Sequence, residues 1–291
     1  MKMAVIDTYD TSTSNAIPLR AQEPENGFAN KMTMNASPKP TLLVAPSPES
    51  WAACAADKVI ATASEAIAAR GCCFMVLAGG STPESLYRYL AAEHRDRIDW
   101  ARLQFFLGDE RLVPPEDPRS NLGMARRALL DHLPIRSAQV HAVDTQGTAS
   151  QAADDYHRRL CDVVPGCSSH TPPRFDLLLL GLGTDGHIAS LFPGKPALHV
   201  NSQWAAASGP GELPPPVDRV TLTYPAINAA RIVLMLVTGA SKSPTVARVV
   251  RGKESIDQCP ARGVQPAQGE ICWVLDPPAA RELEVDNEAK G

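Results

Sequence analysis

The chain has 291 residues and a formal net charge of −4 at neutral pH, with 44% hydrophobic and 21% charged residues. That balance is ordinary for a globular protein and excludes a nucleic-acid binder held by bulk positive charge. No apolar run approaches the roughly 18 residues needed to span a bilayer; the longest, around residues 177–182 and 232–237, have the length of buried strands.

The N-terminus shows no basic segment followed by an apolar one, as a secretory signal has, and its acidic residues Asp7, Asp10, Glu23 and Glu25 argue against a transit peptide. The seven cysteines are scattered, with Cys72 and Cys73 adjacent in an apolar run, which reads as reduced thiols in a cytoplasmic protein. Residues 1–40 have no sustained apolar period and are expected to form a disordered extension. Residues 41–284 are expected to form one α/β domain and residues 285–291 a frayed tail.

From residue 41 onward, apolar runs and helical patterns alternate. Residues 41–45 are a short apolar run, and residues 49–70 an Ala-rich helix stopped by Gly71. Strands are predicted over 74–78, 103–107, 175–180, 217–223, 232–237 and 271–275, and helices over about 82–93, 120–133, 148–162 and 241–250. After about Arg281 the chain is charged and expected to fray. The alternation implies βα units around a largely parallel central sheet flanked by helices.

Four polar stretches follow predicted strands. Ala78-Gly79-Gly80-Ser81-Thr82-Pro83-Glu84 opens a helix. Ser81 with Glu84 fits a capping box, Pro83 falls where a helix tolerates a missing donor, and two glycines let a ligand approach the backbone. A phosphate seated on the helix N-terminus and a merely well-capped helix both account for it. Gly108-Asp109-Glu110-Arg111 puts three charges in a row, which is not expected of a core; it reads as a solvated turn or as a ligand site where Arg111 grips an anion. Gly181-Leu182-Gly183-Thr184-Asp185-Gly186-His187 matches G-x-G-x-x-G. Pro193 comes too soon for the long helix of a dinucleotide loop, and no acidic residue stands about 20 residues further on. What remains is a glycine-lined loop presenting Asp185 and His187, either structural or catalytic. Thr238-Gly239-Ala240-Ser241-Lys242 offers Lys242 to a phosphate, without Walker A spacing, and Arg219 is a weaker candidate of the same kind. His157, Cys161, Cys167 and His170 match no standard zinc spacing, so no metal is expected. No G-x-S-x-G elbow of a serine esterase is present.

Taken in order, these stretches resemble the 6-phosphogluconolactonase family. The matching pieces are Gly79-Gly80-Ser81-Thr82-Pro83, Gly108-Asp109-Glu110-Arg111-Leu112-Val113-Pro114, Ser120-Asn121, the run from Asp185-Gly186-His187 to Ser190-Leu191-Phe192-Pro193, Arg219-Val220-Thr221-Leu222-Thr223, and Gly239 with Lys242. The resemblance spans roughly residues 41–275, with Ala78 standing where the family commonly has serine. It implies a fold like that of the glucosamine-6-phosphate deaminases and 6-phosphogluconolactonases. It implies hydrolysis of 6-phospho-D-glucono-1,5-lactone to 6-phospho-D-gluconate in the oxidative pentose phosphate pathway, with no cofactor. The expected partner is this small-molecule sugar-phosphate lactone, with no nucleic acid and no membrane, and the chain is expected to be a monomer or small homo-oligomer. His187 is the expected general base, with Asp185 capping a short helix in front of it. Arg111 is expected to orient substrate or support an oxyanion. Gly79, Gly80, Ser81, Thr82, Lys242 and Arg219 are expected to hold the phosphate, and Asp109 to position Arg111 or a sugar hydroxyl.

The deaminases also resemble the chain at Asp185-Gly186-His187-Ile188. They typically continue with Phe-Asn-Glu-Pro, where this chain has Ser190-Leu191-Phe192-Pro193, so the glutamate they use with their histidine is missing. A non-catalytic sugar-phosphate sensor would keep the phosphate loop but usually carries an interaction or DNA-binding module; the one appendage here is a polar tail without a basic cluster.

Overall fold

The computed structural model describes residues 4–6, 40–210 and 216–288. In chain order the elements are β1 (Ala4–Ile6), β2 (Thr41–Val44), α1 (Trp51–Arg70), β3 (Cys73–Leu77), α2 (Ser81–Glu93), β4 (Leu103–Leu107), β5 (Asp109–Arg111), α3 (Asn121–Ala128), β6 (Val140–His141) and α4 (Ala149–Val163). They continue with β7 (Leu177–Leu180), β8 (Ala205–Ser208), β9 (Arg219–Leu222), α5 (Tyr224–Asn228), β10 (Ile232–Val237), α6 (Ser243–Arg251), β11 (Glu270–Leu275) and α7 (Pro277–Glu288).

Seven strands run parallel in the order β2-β11-β10-β7-β3-β4-β6, and β1 pairs antiparallel with β2 at the edge. The central strands are continuous apolar runs because helices cover both faces of a parallel sheet. Leu177 and Leu179, with Leu234 and Leu236, pack under α1, α2 and α3. Leu178 and Leu180, with Val233 and Met235, pack under α4, α5, α6 and α7. Each such side chain, fully buried, contributes about 1.5–3 kcal/mol. The expected largely parallel sheet flanked by helices is therefore the observed one.

From β3 the chain builds β4 and β6 on one side; from β7 it builds β10 and β11 on the other. The strand order reverses between β3 and β7, and in open α/β sheets the ligand crevice lies at the carboxyl ends beside such a reversal.

A second, antiparallel sheet, β5-β9-β8, stands on that carboxyl edge. It is joined to the main sheet where the Leu222 N–H donates to the Gly108 carbonyl at 2.8 Å. The strand expected over 217–223 is β9 in this sheet, not a member of the parallel one. Its partners β5 and β8 are too short to carry a period. The helix expected over 120–133 ends at Ala128 and gives way to a 3₁₀ turn at Leu130–His132. The chain was expected to fray after about Arg281, yet its backbone stays helical to Glu288 in α7, whose first turn is capped by Asp276 through the Ala279 N–H at 2.8 Å. Of the tail expected over 285–291, residues 289–291 lie outside the described residues, as does the extension expected over 1–40, apart from β1 and Pro40. Among the described residues no helix is long and apolar enough to cross a membrane.

The expectation that three consecutive charges stay out of the core is overturned at Asp109 and Glu110. Glu110 is only 1% exposed. Its carboxylate accepts the N–H groups of Arg111 (2.7 Å), Asn121 (2.8 Å) and Leu122 (2.8 Å), and the Ser120 hydroxyl (3.0 Å). Burial pushes its carboxyl above the ordinary value, and these backbone donors pull it back. One carboxylate thus fixes the start of α3 against β5. Glu110→Ala should leave up to three buried N–H groups without an acceptor, each costing about 1–3 kcal/mol. We expect a loss on the order of 3 kcal/mol in denaturant unfolding, with a clear fall in melting temperature. A change within about 0.5 kcal/mol, the scatter of neutral surface substitutions, would show that the carboxylate carries no net weight.

Candidate active site

Strands β10, β7, β3 and β4 end side by side, and each is followed by one of the four polar stretches. Together these stretches line a cleft of about 330 Å³.

At one end of the cleft α2 begins. Its N-cap is Gly80 at φ 101°, a conformation suited to glycine, and no side chain caps the helix. The expected Ser81–Glu84 capping box is therefore not formed. Ser81 is already the first helical residue, and Glu84 turns outward to pair with Arg88 at 2.6 Å. The first-turn N–H groups, which have no intrahelical acceptor, remain to bind an anion in the cleft. Thr82 Oγ1 and Thr238 Oγ1 lie 2.8 Å apart and tie the β3 and β10 loops together. Lys242 closes the 3₁₀ turn Ala240–Lys242 on the same side. Burial pulls its ammonium below the ordinary lysine value, while the charge of Asp185 pulls the other way.

The loop after β7 carries the histidine. The Gly183 N–H donates to the His187 carbonyl at 2.9 Å, and the Gly186 N–H to the Gly183 carbonyl at 3.1 Å, closing a tight turn. The expected short helix is not formed. Asp185 instead reaches forward, accepting the His187 N–H at 3.0 Å and contacting His187 Nδ1 at 2.6 Å. Burial raises the Asp185 carboxyl, but these bonds from His187 outweigh it, and the net position is below the ordinary value. An ionised carboxylate can only accept, so Nδ1 carries the proton and Nε2 keeps its lone pair. Because the Asp185 pKa is lowered by folding, its contribution is in place above the ordinary carboxylate range and is lost only as pH falls through the depressed value. Two outside groups brace the loop: the Ala261 N–H donates to the Gly186 carbonyl at 2.8 Å, and Thr245 Oγ1 to the Thr184 carbonyl at 2.7 Å.

Opposite the histidine loop stands the antiparallel sheet. Its register sets Arg111 directly across from Arg219. Like charges in that relation repel. Arg111 Nη1 donates to the Arg119 carbonyl (2.6 Å) and to Asn121 Oδ1 (2.7 Å). Arg219 lies 3.8 Å from Asp109 and over the Phe192 ring at 5.3 Å. Burial pulls Arg219 below its ordinary value, Asp109 opposes that, and Arg111 adds to it. The buried Nε of each arginine has no partner among the described residues. Asp109 accepts from Ser190 Oγ at 2.6 Å and Asn121 Nδ2 at 3.0 Å, so it positions Arg111 only through Asn121.

Of the expected site residues, Gly79, Gly80, Ser81, Thr82, Asp109, Arg111, His187, Arg219 and Lys242 line the cleft. Asp185 does not; it stands behind His187 and orients it. Asn121, Ser190 and Thr238 join the site without having been singled out as site residues, although each lies in a stretch that was. The histidines of the histidine–cysteine group stand apart from its cysteines' thiol contact. His157 Nδ1 accepts the Trp204 N–H at 3.0 Å, His170 is exposed, and the described residues hold no cluster of three or more candidate metal ligands.

The family model for glucosamine-6-phosphate isomerases/6-phosphogluconolactonase matches residues 46–273. The 6-phosphogluconolactonase of Rattus norvegicus is 40% identical over 254 residues, covering 86% of this chain and 96% of the relative. That of Mycobacterium tuberculosis is 40% identical over 237 residues, covering 79% and 93%. The chain belongs to the 6-phosphogluconolactonase family. The enzyme class expected from its motifs, a lactone hydrolase, stands with that membership. The solved structure of 6-phosphogluconolactonase from Trypanosoma brucei superposes with a TM-score of 0.75 at 33% identity, covering 84% of this chain and 99% of that one. A monomeric glucosamine-6-phosphate deaminase, at 20% identity and a TM-score of 0.69, shares the fold.

One glycine tests the geometry of the histidine loop. A Cβ on Gly183 would collide with His187 Nδ1 and Asp185 Oδ1. Gly183→Ala should displace the imidazole and lower kcat by about 100-fold, the usual result of misplacing a reacting group by an ångström, in a protein that still folds. Wild-type kcat in the variant would show that the pair tolerates displacement.

Proposed function

We propose that the chain hydrolyses 6-phospho-D-glucono-1,5-lactone to 6-phospho-D-gluconate with His187 as general base. The observation that carries this reading is the Asp185–His187 contact at 2.6 Å, which leaves Nε2 of a cleft-lining imidazole as a bare lone pair. His187 takes a proton from a water molecule as its oxygen attacks the lactone carbonyl. The carbonyl oxygen gains charge, and the guanidinium of the cleft-lining Arg111 compensates it. The ring C–O bond then breaks, and the proton passes from His187 to the departing ring oxygen, giving a hydroxyl and a carboxylic acid that releases its proton to solvent. The first turn of α2, with Lys242 and Arg219, holds the phosphate away from the reacting carbon. The proposed compartment is the cytoplasm, supported by the seven free thiols; a rice relative is described as chloroplastic.

Turnover of freshly generated lactone, corrected for spontaneous hydrolysis, tests the activity. His187→Ala should cost about 10²–10⁴ in rate, the usual worth of general-base help, while 6-phosphogluconate still binds within a few-fold. His187→Asn should behave alike, since its amide keeps polarity but is no comparable base. Wild-type turnover should fall as pH drops through the range where imidazoles take up a proton. Retention of more than about a tenth of the wild-type rate in His187→Ala, below the low end of that range, would move the base elsewhere.

Lys242→Ala should act on binding. We expect KM for the phosphorylated lactone to rise, kcat to change little, and preference to shift toward unphosphorylated gluconolactone, because a charge on a remote group contributes equally to ground and transition states. Unchanged KM would place Lys242 outside the phosphate site.

A further inference from the structure

The cysteines set aside as metal ligands form a different kind of site. Cys161 lies in the last turn of α4, two residues before its end at Val163. The chain then reverses through Val164-Pro165-Gly166-Cys167, where the Cys167 N–H donates to the Val164 carbonyl at 3.1 Å. Proline sets the first corner of this turn, and Gly166, at φ 78°, takes the left-handed second corner. The reversal brings Cys167 back onto the helix, with its Sγ donating to Cys161 Sγ at 3.2 Å. Both side chains are partly exposed, and both thiols are free. The surroundings are ordered. Trp204 Nε1 donates to the Ser168 carbonyl at 2.8 Å, and the Trp204 N–H is held by His157 on α4. The two sulfurs are therefore held in contact by a proline–glycine turn and a docked tryptophan rather than meeting by chance in a mobile loop. No other sulfur–sulfur contact is found among the described residues.

We propose that Cys161 and Cys167 are a reversible dithiol–disulfide site that exchanges with small-molecule disulfides. The Cys161 thiolate attacks one sulfur of the disulfide, forming a mixed disulfide and expelling one thiolate. The sulfur of Cys167, after losing its proton, then attacks Cys161 Sγ and expels the second. The S–S bond of the reagent is replaced by one between Cys161 and Cys167, two electrons pass to the reagent, and the two protons of the protein thiols end on the two released thiols. The order of attack follows from the geometry, because Cys161 receives the hydrogen bond and Cys167 donates it. Burial and the neighbouring sulfur push the Cys167 thiol up to about 12, which suits it to the second, intramolecular step, where proximity replaces thiolate abundance.

The sequence makes the test direct. Arg159 and Arg174 flank the pair, so trypsin releases both cysteines in one peptide, residues 160–174. The folded full-length protein is equilibrated with oxidised and reduced glutathione in ratios from fully reducing to fully oxidising, quenched with an alkylating reagent, and mapped by mass spectrometry. The expected result is that this peptide changes from doubly alkylated to unalkylated, with a mass about 2 Da below that of its free-dithiol form, the mass of two hydrogens, and reverts with dithiothreitol. Cys167→Ser should instead stop at a stable glutathione adduct on Cys161. A wild-type peptide that stays doubly alkylated across the series, or that collects glutathione adducts without the internal bond, overturns the proposal.

Discussion

Two carboxylates, Asp109 and Glu110, are buried where the chain steps off the parallel sheet, and the site depends on how they are satisfied. A buried ionised carboxylate is costly unless its lone pairs are saturated. Glu110 recruits the start of α3, and Asp109 recruits Asn121 and Ser190. Those demands place α3, the turn around Ser190 and the short sheet β5-β9-β8 about one point. The arginines follow from that placement. Arg111 and Arg219 face each other because the register that lets Asp109 and Glu110 be buried allows nothing else. Both guanidiniums line the cleft, where an anionic ligand or an oxygen gaining charge during reaction would complement them.

The histidine arrives from a different element, and this separation has a chemical purpose. On the proposed reading the phosphate would be held by α2, the β10 loop and Arg219 of β9, and the reaction would take place between the β7 loop and Arg111 of β5. Binding of the phosphate can therefore align a lactone against His187 without touching the carbon that reacts. The Asp185 contact at Nδ1 favours the tautomer whose lone pair lies on Nε2.

Much of this was legible in the sequence. Strands such as Leu177–Leu180 and Ile232–Val237 announce themselves because both faces are covered, so apolarity is unbroken. The four polar stretches fall after strands, and a parallel sheet gathers them at one edge. What could not be read were pairings that lack a period. Asp109–Arg111 is a three-residue strand made of charges, and only its partner β9 makes it a strand. Glu110 read as solvated because nothing local shows the donors that await it eleven and twelve residues on. Ser81 and Glu84 have capping-box spacing, but Gly80 takes the cap position, which shifts the frame and frees the helix end for a ligand. Asp185 was expected to cap a helix; the tight turn closed by Gly183 and His187 gives its carboxylate to the imidazole instead.

A deaminase of known structure shares this fold. Phe192 stands at the position where the deaminase pattern Phe-Asn-Glu-Pro has its glutamate. Its ring lies 4.7 Å from that of His187, and the Arg219 guanidinium sits over it at 5.3 Å. An aromatic ring there puts no second acid or base beside the imidazole, and it offers its negative face to the Arg219 guanidinium. His187 has the Asp185 carboxylate at its Nδ1. Proton shuttling between carbon and nitrogen needs two groups that exchange protons with substrate. Opening a lactone needs one base and a place for negative charge.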